Sequence, residues 1–119
     1  SGGTLVSSGL EKALDVIEDR YHPSNWNVYT FQCSDGDNWP DDTDSTMRAL
    51  EKLKSKCQLV GYCEIEPNGE RSAWHSEFKL SIIYQSMVDD KFKMTDIKKK
   101  SDIWAAFKSM FYKRKIVSL

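Results

Sequence analysis

Five aspartates, Asp35, Asp37, Asp41, Asp42 and Asp44, crowd into the short run "CSDGDNWPDDTDST" at residues 33–46, together with Gly36, Trp39 and Pro40. Carboxylates packed this closely repel one another unless a cation, a helix end or hydrogen-bond donors offset their charge. Two chemistries fit the residue types. A hard cation such as Mg²⁺ takes oxygen ligands and keeps several waters, so Asp35 and Asp37 are candidate ligands. Alternatively the acidic residues meet the positive end of a helix, and that reading is preferred for Asp41, Asp42 and Asp44. An EF-hand is excluded by position, because the sixth residue counted from Asp35 is Pro40 where that loop requires glycine.

A second segment with matching chemistry is "SGGT", residues 1–4. Thr4 offers a hydroxyl to a hard cation, and Gly2, Gly3 and Gly36 let the backbone bend close to an ion.

The surrounding elements follow from periodicity. Val6, Leu10, Leu14, Ile17 and Tyr21 recur at helical spacing, with Thr4, Ser7 and Ser8 as candidate caps and Pro23 blocking continuation. "WNVYTFQC", residues 26–33, reads as a buried strand. Met47, Leu50, Leu53 and Cys57 mark a second helix, capped by Thr43, Asp44 or Ser45. "LVGYCEI", residues 59–65, is a second strand, and "EPNGE" after it is turn chemistry. A third helix is expected over residues 74–87. "KFKMTDI", residues 91–97, reads as a third strand, shorter or nearer an edge. A fourth helix is expected over residues 101–113, with Ile103, Trp104, Phe107, Met110 and Phe111 on one face and a frayed basic tail after it.

Strands alternating with helices imply an α/β fold with a parallel sheet of about three strands, covered by helices in three layers. Ligands of such sheets bind beyond the carboxyl ends of the strands, which is where the acidic run falls. The 119 residues suit one domain. Lys+Arg 17 against Asp+Glu 18 gives a net charge of -1, which argues against holding nucleic acid by bulk attraction. The "KKK" at residues 98–100 is read as a solvated loop, with a weak anion or nucleic-acid patch as the alternative. No apolar run reaches the length of a membrane span and no signal peptide opens the chain. Free rather than paired cysteines fit a reducing cytoplasm, the setting expected. Cys33, Cys57 and Cys63 lack C-x-x-C spacing and read as free thiols, Cys33 and Cys63 as small core residues. His22 and His75 lack ligand spacing and are expected at the surface.

A Gly-Gly-Thr before a helix, followed by a strand ending in Ser-Asp-Gly, resembles the von Willebrand factor A-type fold. That resemblance implies a metal-ion-dependent adhesion site, with Thr4 matching its second element and Asp35 its third. The first element, Asp-x-Ser-x-Ser, is absent here, so the site is partial and its Mg²⁺ affinity weak. The wording "SGGTLVSSGLEKALDVIEDRY" followed by "WNVYTFQCSDGDNWPDD" is similar to the bacterial YeaH/YhbH family, which includes proteins linked to sporulation. Members of that family are substantially longer, so the chain is expected to be the C-terminal part of such an A-type domain. The resemblance implies a non-enzymatic protein–protein interaction module acting with a PrkA-type serine protein kinase in stress and sporulation responses. It implies Thr4 near the metal, Asp35 acting through a bound water, Asp37 and Asn38 holding outer waters, and Asn38 and Trp39 as partner contacts, Trp39 as an exposed aromatic anchor at the rim. It also implies an exposed sheet edge inviting homodimerisation. The competing class is a Mg²⁺-dependent phosphoryl-transfer enzyme using the Asp-rich loop. A P-loop, a G-x-S-x-G elbow and a Cys/His pairing in recognisable context are all missing. A third reading is a structural half-domain without a site.

Overall fold

The structure, a computed structural model, describes residues 5–65 and 79–118, the last eight by backbone alone. In chain order it contains α1 (Val6–Arg20), β1 (Tyr29–Ser34), α2 (Thr43–Lys56), β2 (Leu59–Ile65), α3 (Leu80–Ile83), β3 (Phe92–Ile97) and α4 (Ile103–Ser118). Short 3-10 turns at Pro40–Asp42 and Lys100–Asp102 lead into α2 and α4, and another at Tyr84–Met87 follows α3.

The three strands form one parallel sheet in the order β1-β2-β3. Tyr29 lies opposite Leu59, Cys33 opposite Cys63 and Ser34 opposite Glu64; Val60 lies opposite Phe92 and Glu64 opposite Asp96. Because side chains alternate along a strand, this register sorts the sheet into two faces. One face carries Val60, Tyr62 and Phe92, which pack with Leu10 and Ile17 of α1, Leu50 and Leu53 of α2, Leu80 and Tyr84. Tyr84 stands edge-on to both Tyr62 and Phe92, with ring centroids 5.0 and 5.4 Å apart. Such pairs contribute beyond the area they bury. The other face carries Phe31, Gly61 and Cys63 and is covered by α4. Gly61 makes that approach possible: a Cβ there would stand 2.6 Å from the Met110 sulfur and 2.8 Å from the Phe31 ring. The α/β architecture with a parallel sheet of three strands and alternating helices is therefore the one the periodicity predicts.

Central β2 is buried along almost its whole length, and its bounds match those expected. β1 differs from expectation. It is half-exposed because it lies at an edge of the described sheet, and Cys33 is an exposed residue rather than a core one. It lies directly opposite Cys63 in the β1–β2 pairing. Burial raises the Cys63 thiol to about 11, and the neighbouring Cys33 adds to that shift. Trp104, expected in the core, is 63% exposed, because α4 turns Ala106 and Met110 inward instead. The third helix is a single α-turn followed by a 3-10 turn within residues 80–87. The part expected over residues 74–78, with Trp74 and His75, lies outside the described residues. α4 runs to Ser118, through the tail expected to fray. His22 is at the surface as expected, bonded to Ser24 Oγ at 2.9 Å and 3.4 Å from Glu18.

Candidate functional site at the carboxyl end of the sheet

The turn that leaves β1 is held from below and from the side. Gly36 adopts φ 90°, the left-handed region that favours glycine. A Cβ on it would meet Glu64 Oε1 at 2.5 Å and Lys79 Cδ at 2.8 Å, so only glycine lets the turn sit this low. Its carbonyl accepts the Leu80 amide at 3.0 Å, and Lys79 Nζ donates to the Asp35 carbonyl at 2.9 Å. The Gly36 amide donates to Ser34 Oγ, and the Asp37 amide to Asp35 Oδ1, both at 3.0 Å. These contacts tie the loop after β1 to the start of α3, across the carboxyl end of the sheet.

Glu64, fully buried at the end of β2, is the floor of this arrangement. Its Oε1 accepts the Tyr62 hydroxyl at 2.8 Å and the Ser81 amide at 3.1 Å, while Oε2 accepts Ser81 Oγ at 2.8 Å. A buried carboxylate is tolerable only when its oxygens are bonded in this way. Burial first, and then the charge of Glu64, hold the Tyr62 phenol well above its ordinary pKa, so it remains a donor. Nothing in the sequence singled out Glu64. The only hint was an acidic residue closing an otherwise apolar strand.

Asp42 is the second carboxylate whose role differs from expectation. It is buried, and it reaches across to α1 as well as lying before α2. Its Oδ1 accepts Ser7 Oγ at 2.6 Å, and its Oδ2 accepts the Ser7 amide and Thr46 Oγ1, both at 3.0 Å. Ser7 is the second residue of α1, whose own N-cap position, Leu5, makes no side-chain bond. Asp42 therefore supplies from a distance of 35 residues the anion that the α1 N-terminus lacks. Burial raises its pKa, but the bonds from Ser7 and Thr46 outweigh that, and its pKa lies below the ordinary 3.8. Asp41 and Asp44 remain exposed near the start of α2, as expected.

The other expected site residues occupy the same loop. Asp35 and Asp37 are both exposed, and Asp37 Oδ1 lies 3.9 Å from Lys79 Nζ. Asn38 Nδ2 donates to Thr43 Oγ1 at 3.1 Å, while its Oδ1 is buried without a hydrogen-bond partner among the described residues. Trp39 is 55% exposed. Thr4 lies outside the described residues. The described residues contain no group of three His, Cys, Asp or Glu placed to hold a metal. Asp35 fits a hard cation as one oxygen donor. Asp37, drawn towards the Lys79 ammonium, fits only at a distance, through water.

The sequence profile described as "Protein of unknown function (DUF444)" matches residues 1–114. A UPF0229 protein of Ruminiclostridium cellulolyticum is 42% identical over 115 residues, covering 95% of this chain and 28% of that protein. UPF0229 proteins of Clostridium perfringens strain 13 and Bacillus cereus strain B4264 are 36% and 37% identical over 92% and 93% of this chain. The chain spans about a quarter of the length of each, 27% in both. No solved structure matches it. With the profile matched over nearly the whole length, the chain belongs to the DUF444 family.

Proposed function

We propose that this chain is a non-enzymatic protein–protein interaction module whose contact surface is the turn leaving β1, with a partial metal-ion-dependent adhesion site in it. One observation carries the reading: an exposed carboxylate, Asp35, and an exposed aromatic, Trp39, stand in one turn pinned by Gly36, Lys79 and Leu80. Groups held rigidly at a surface lose little freedom on binding, which favours docking. In this reading Asp35 offers an oxygen towards Mg²⁺, Thr4 a hydroxyl and Asp37 an outer, water-mediated contact, while Asn38 and Trp39 meet the partner. The bound ion would supply a centre able to accept a carboxylate from that partner. The partner class implied by the family resemblance is a PrkA-type serine protein kinase. The same resemblance supports the A-type fold, the role in stress and sporulation, and dimerisation through the sheet edge.

The reading is tested with Mn²⁺ as a spectroscopic stand-in for Mg²⁺ and with a PrkA-type kinase as the partner. Free Mn²⁺ is followed by electron paramagnetic resonance as protein is added. Kinase binding is measured with and without EDTA. Weak Mn²⁺ uptake lost in Asp35→Ala, together with EDTA-sensitive binding weakened in Trp39→Ala, is the expected result. Unchanged uptake and binding in Asp35→Ala would leave a structural unit without a site. Phosphate-ester turnover abolished by Asp35→Ala would replace the module with an enzyme.

A further inference from the structure

The net charge of -1 conceals an uneven division. Seven of the 17 Lys and Arg lie in residues 98–119: Lys98, Lys99, Lys100 and Lys108, and then the run "KRK" at residues 113–115. Of the 18 Asp and Glu only Asp102 lies there. Seven positive charges against one negative give that stretch +6, which leaves -7 on the first 97 residues. The fold gathers the positive stretch on one element. Lys98, Lys99 and Lys100 are all exposed in the turn between β3 and α4, and Lys108 is exposed on α4 itself. The backbone of α4 then carries the helix on through residues 113–115, a length of about 24 Å from its first residue. Asp96 and Asp102 are the exposed acids beside the turn, too few to balance it. Like charges collected on one surface raise a local potential that attracts anions, whatever the net charge of the chain. Among these lysines stands Trp104, the most exposed large apolar side chain of the described residues. Its ring stacks on Phe107 with centroids 5.3 Å apart, and the Lys108 ammonium stands over it, 5.7 Å from its centre.

We propose that the turn at residues 98–100 and the outer face of α4 bind single-stranded nucleic acid, the lysines pairing with its phosphates and Trp104 stacking on a base. Charge complementarity selects a polyanion. The ring selects a single strand, because unpaired bases offer the flat faces that an exposed aromatic takes up and a duplex hides them. A base stacked on Trp104 replaces the Lys108 ammonium over the ring, and that flexible side chain then meets the adjoining phosphate. A membrane fits less well. A helix lying on a bilayer buries a continuous apolar face in it. The described part of α4 turns Ala106 and Met110 inward and half-buries Ile103 and Phe107, so Trp104 is the single large apolar group it presents outward. This surface is independent of any metal at Asp35.

Fluorescence anisotropy of a fluorescein-labelled oligouridylate, about 12 nucleotides long, tests it with this 119-residue chain. EDTA is present throughout, so that a failure here says nothing of a metal at Asp35. Anisotropy is expected to rise with protein at low salt. The logarithm of the association constant should fall with that of the salt concentration at a slope of about -3, as for four phosphates neutralised by Lys98, Lys99, Lys100 and Lys108. Trp104→Ala should weaken binding about tenfold and leave the slope unchanged, because stacking releases no counterions. Lys98→Glu, Lys99→Glu and Lys100→Glu combined should abolish binding. All four positions are exposed, so the fold is not at stake in these variants. No rise in anisotropy at low salt would overturn the proposal. Full affinity in Trp104→Ala, with polyglutamate displacing the oligonucleotide as well as unlabelled oligouridylate does, would reduce the surface to a general anion exchanger. Cosedimentation with phosphatidylserine vesicles in the absence of oligonucleotide binding would make it a membrane surface instead.

Discussion

At the scale of single residues, the candidate site depends on Gly36 more than on any of the aspartates near it. Its φ of 90° and the 2.5 Å approach of Glu64 exclude a side chain on two separate grounds. Gly36→Ala is therefore expected to cost about 1–3 kcal/mol, measured by urea unfolding. It should also displace the Asp35 carbonyl from Lys79, visible as altered amide shifts at residues 35–37. A variant as stable as the parent would show that the turn relaxes freely. The aspartates illustrate what a sequence can tell at this scale. Their crowding was plain, and so was their place after a strand. Which one was buried was not, because Asp41 and Asp42 are adjacent and alike. What separates them is Ser7, 35 residues away in the chain, whose amide and hydroxyl both turn to Asp42. Glu64 was hidden for the same reason, since its partner Ser81 lies across a crossover.

Between elements, the clearest dependence is that of α4 on β2. A helix rests this close on a sheet only where a strand residue lacks a side chain, and Gly61 supplies that gap beneath Met110 and beside Phe31. Gly61→Ala adds one methyl group against a sulfur and a ring. Expected is a loss of about 1–3 kcal/mol by overpacking. The expected signature is local: the environment of Trp104 and Phe107 changes, while Tyr62 and Tyr84 on the opposite face keep theirs. Tryptophan fluorescence and aromatic proton shifts separate the two. Changes of equal size on both faces would show that the sheet itself, rather than the seat of α4, has moved. Elements were mostly legible in advance. β2 was read to the residue because a largely apolar run bounded by turn residues, broken only by Glu64, reads as a central parallel strand. β1 was misjudged as buried, because composition reports what a strand is suited to cover and pairing decides what covers it. Trp104 misled in the same way: a helical apolar stripe names a face, and the width of the sheet beneath decides how much of that face is used.

For the whole molecule, two carboxylates act as fasteners between parts distant in sequence, and both respond to acid. Asp42 joins α1 to the start of α2 through Ser7 and Thr46. Asp89 joins α2 to the turn before β3, accepting Lys54 Nζ at 2.7 Å and the amides of Lys91 and Phe92. Both have a pKa below the ordinary 3.8: Asp42 because hydrogen bonds outweigh burial, Asp89 chiefly through its bond from Lys54. A carboxyl with a lowered folded-state pKa binds its proton more weakly when folded than when unfolded. Its stabilisation is complete above the unfolded value near 3.8 and is lost as pH falls through the lower folded value. Urea midpoints should therefore hold steady from neutrality down to about pH 4 and decline below it. The two sites should differ in kind. Asp42 is buried, so Asp42→Asn should cost about 1–3 kcal/mol at neutral pH, flatten much of the acid decline and respond little to salt. Asp89 has a side chain 53% exposed, so Asp89→Asn should have a small effect that shrinks as salt screens the Lys54 pair. An acid decline unchanged in Asp42→Asn would mean that the α1 N-terminus is satisfied in some other way. The fastening of α1 to the loop after β1 would then rest on apolar packing between α1 and α2 alone.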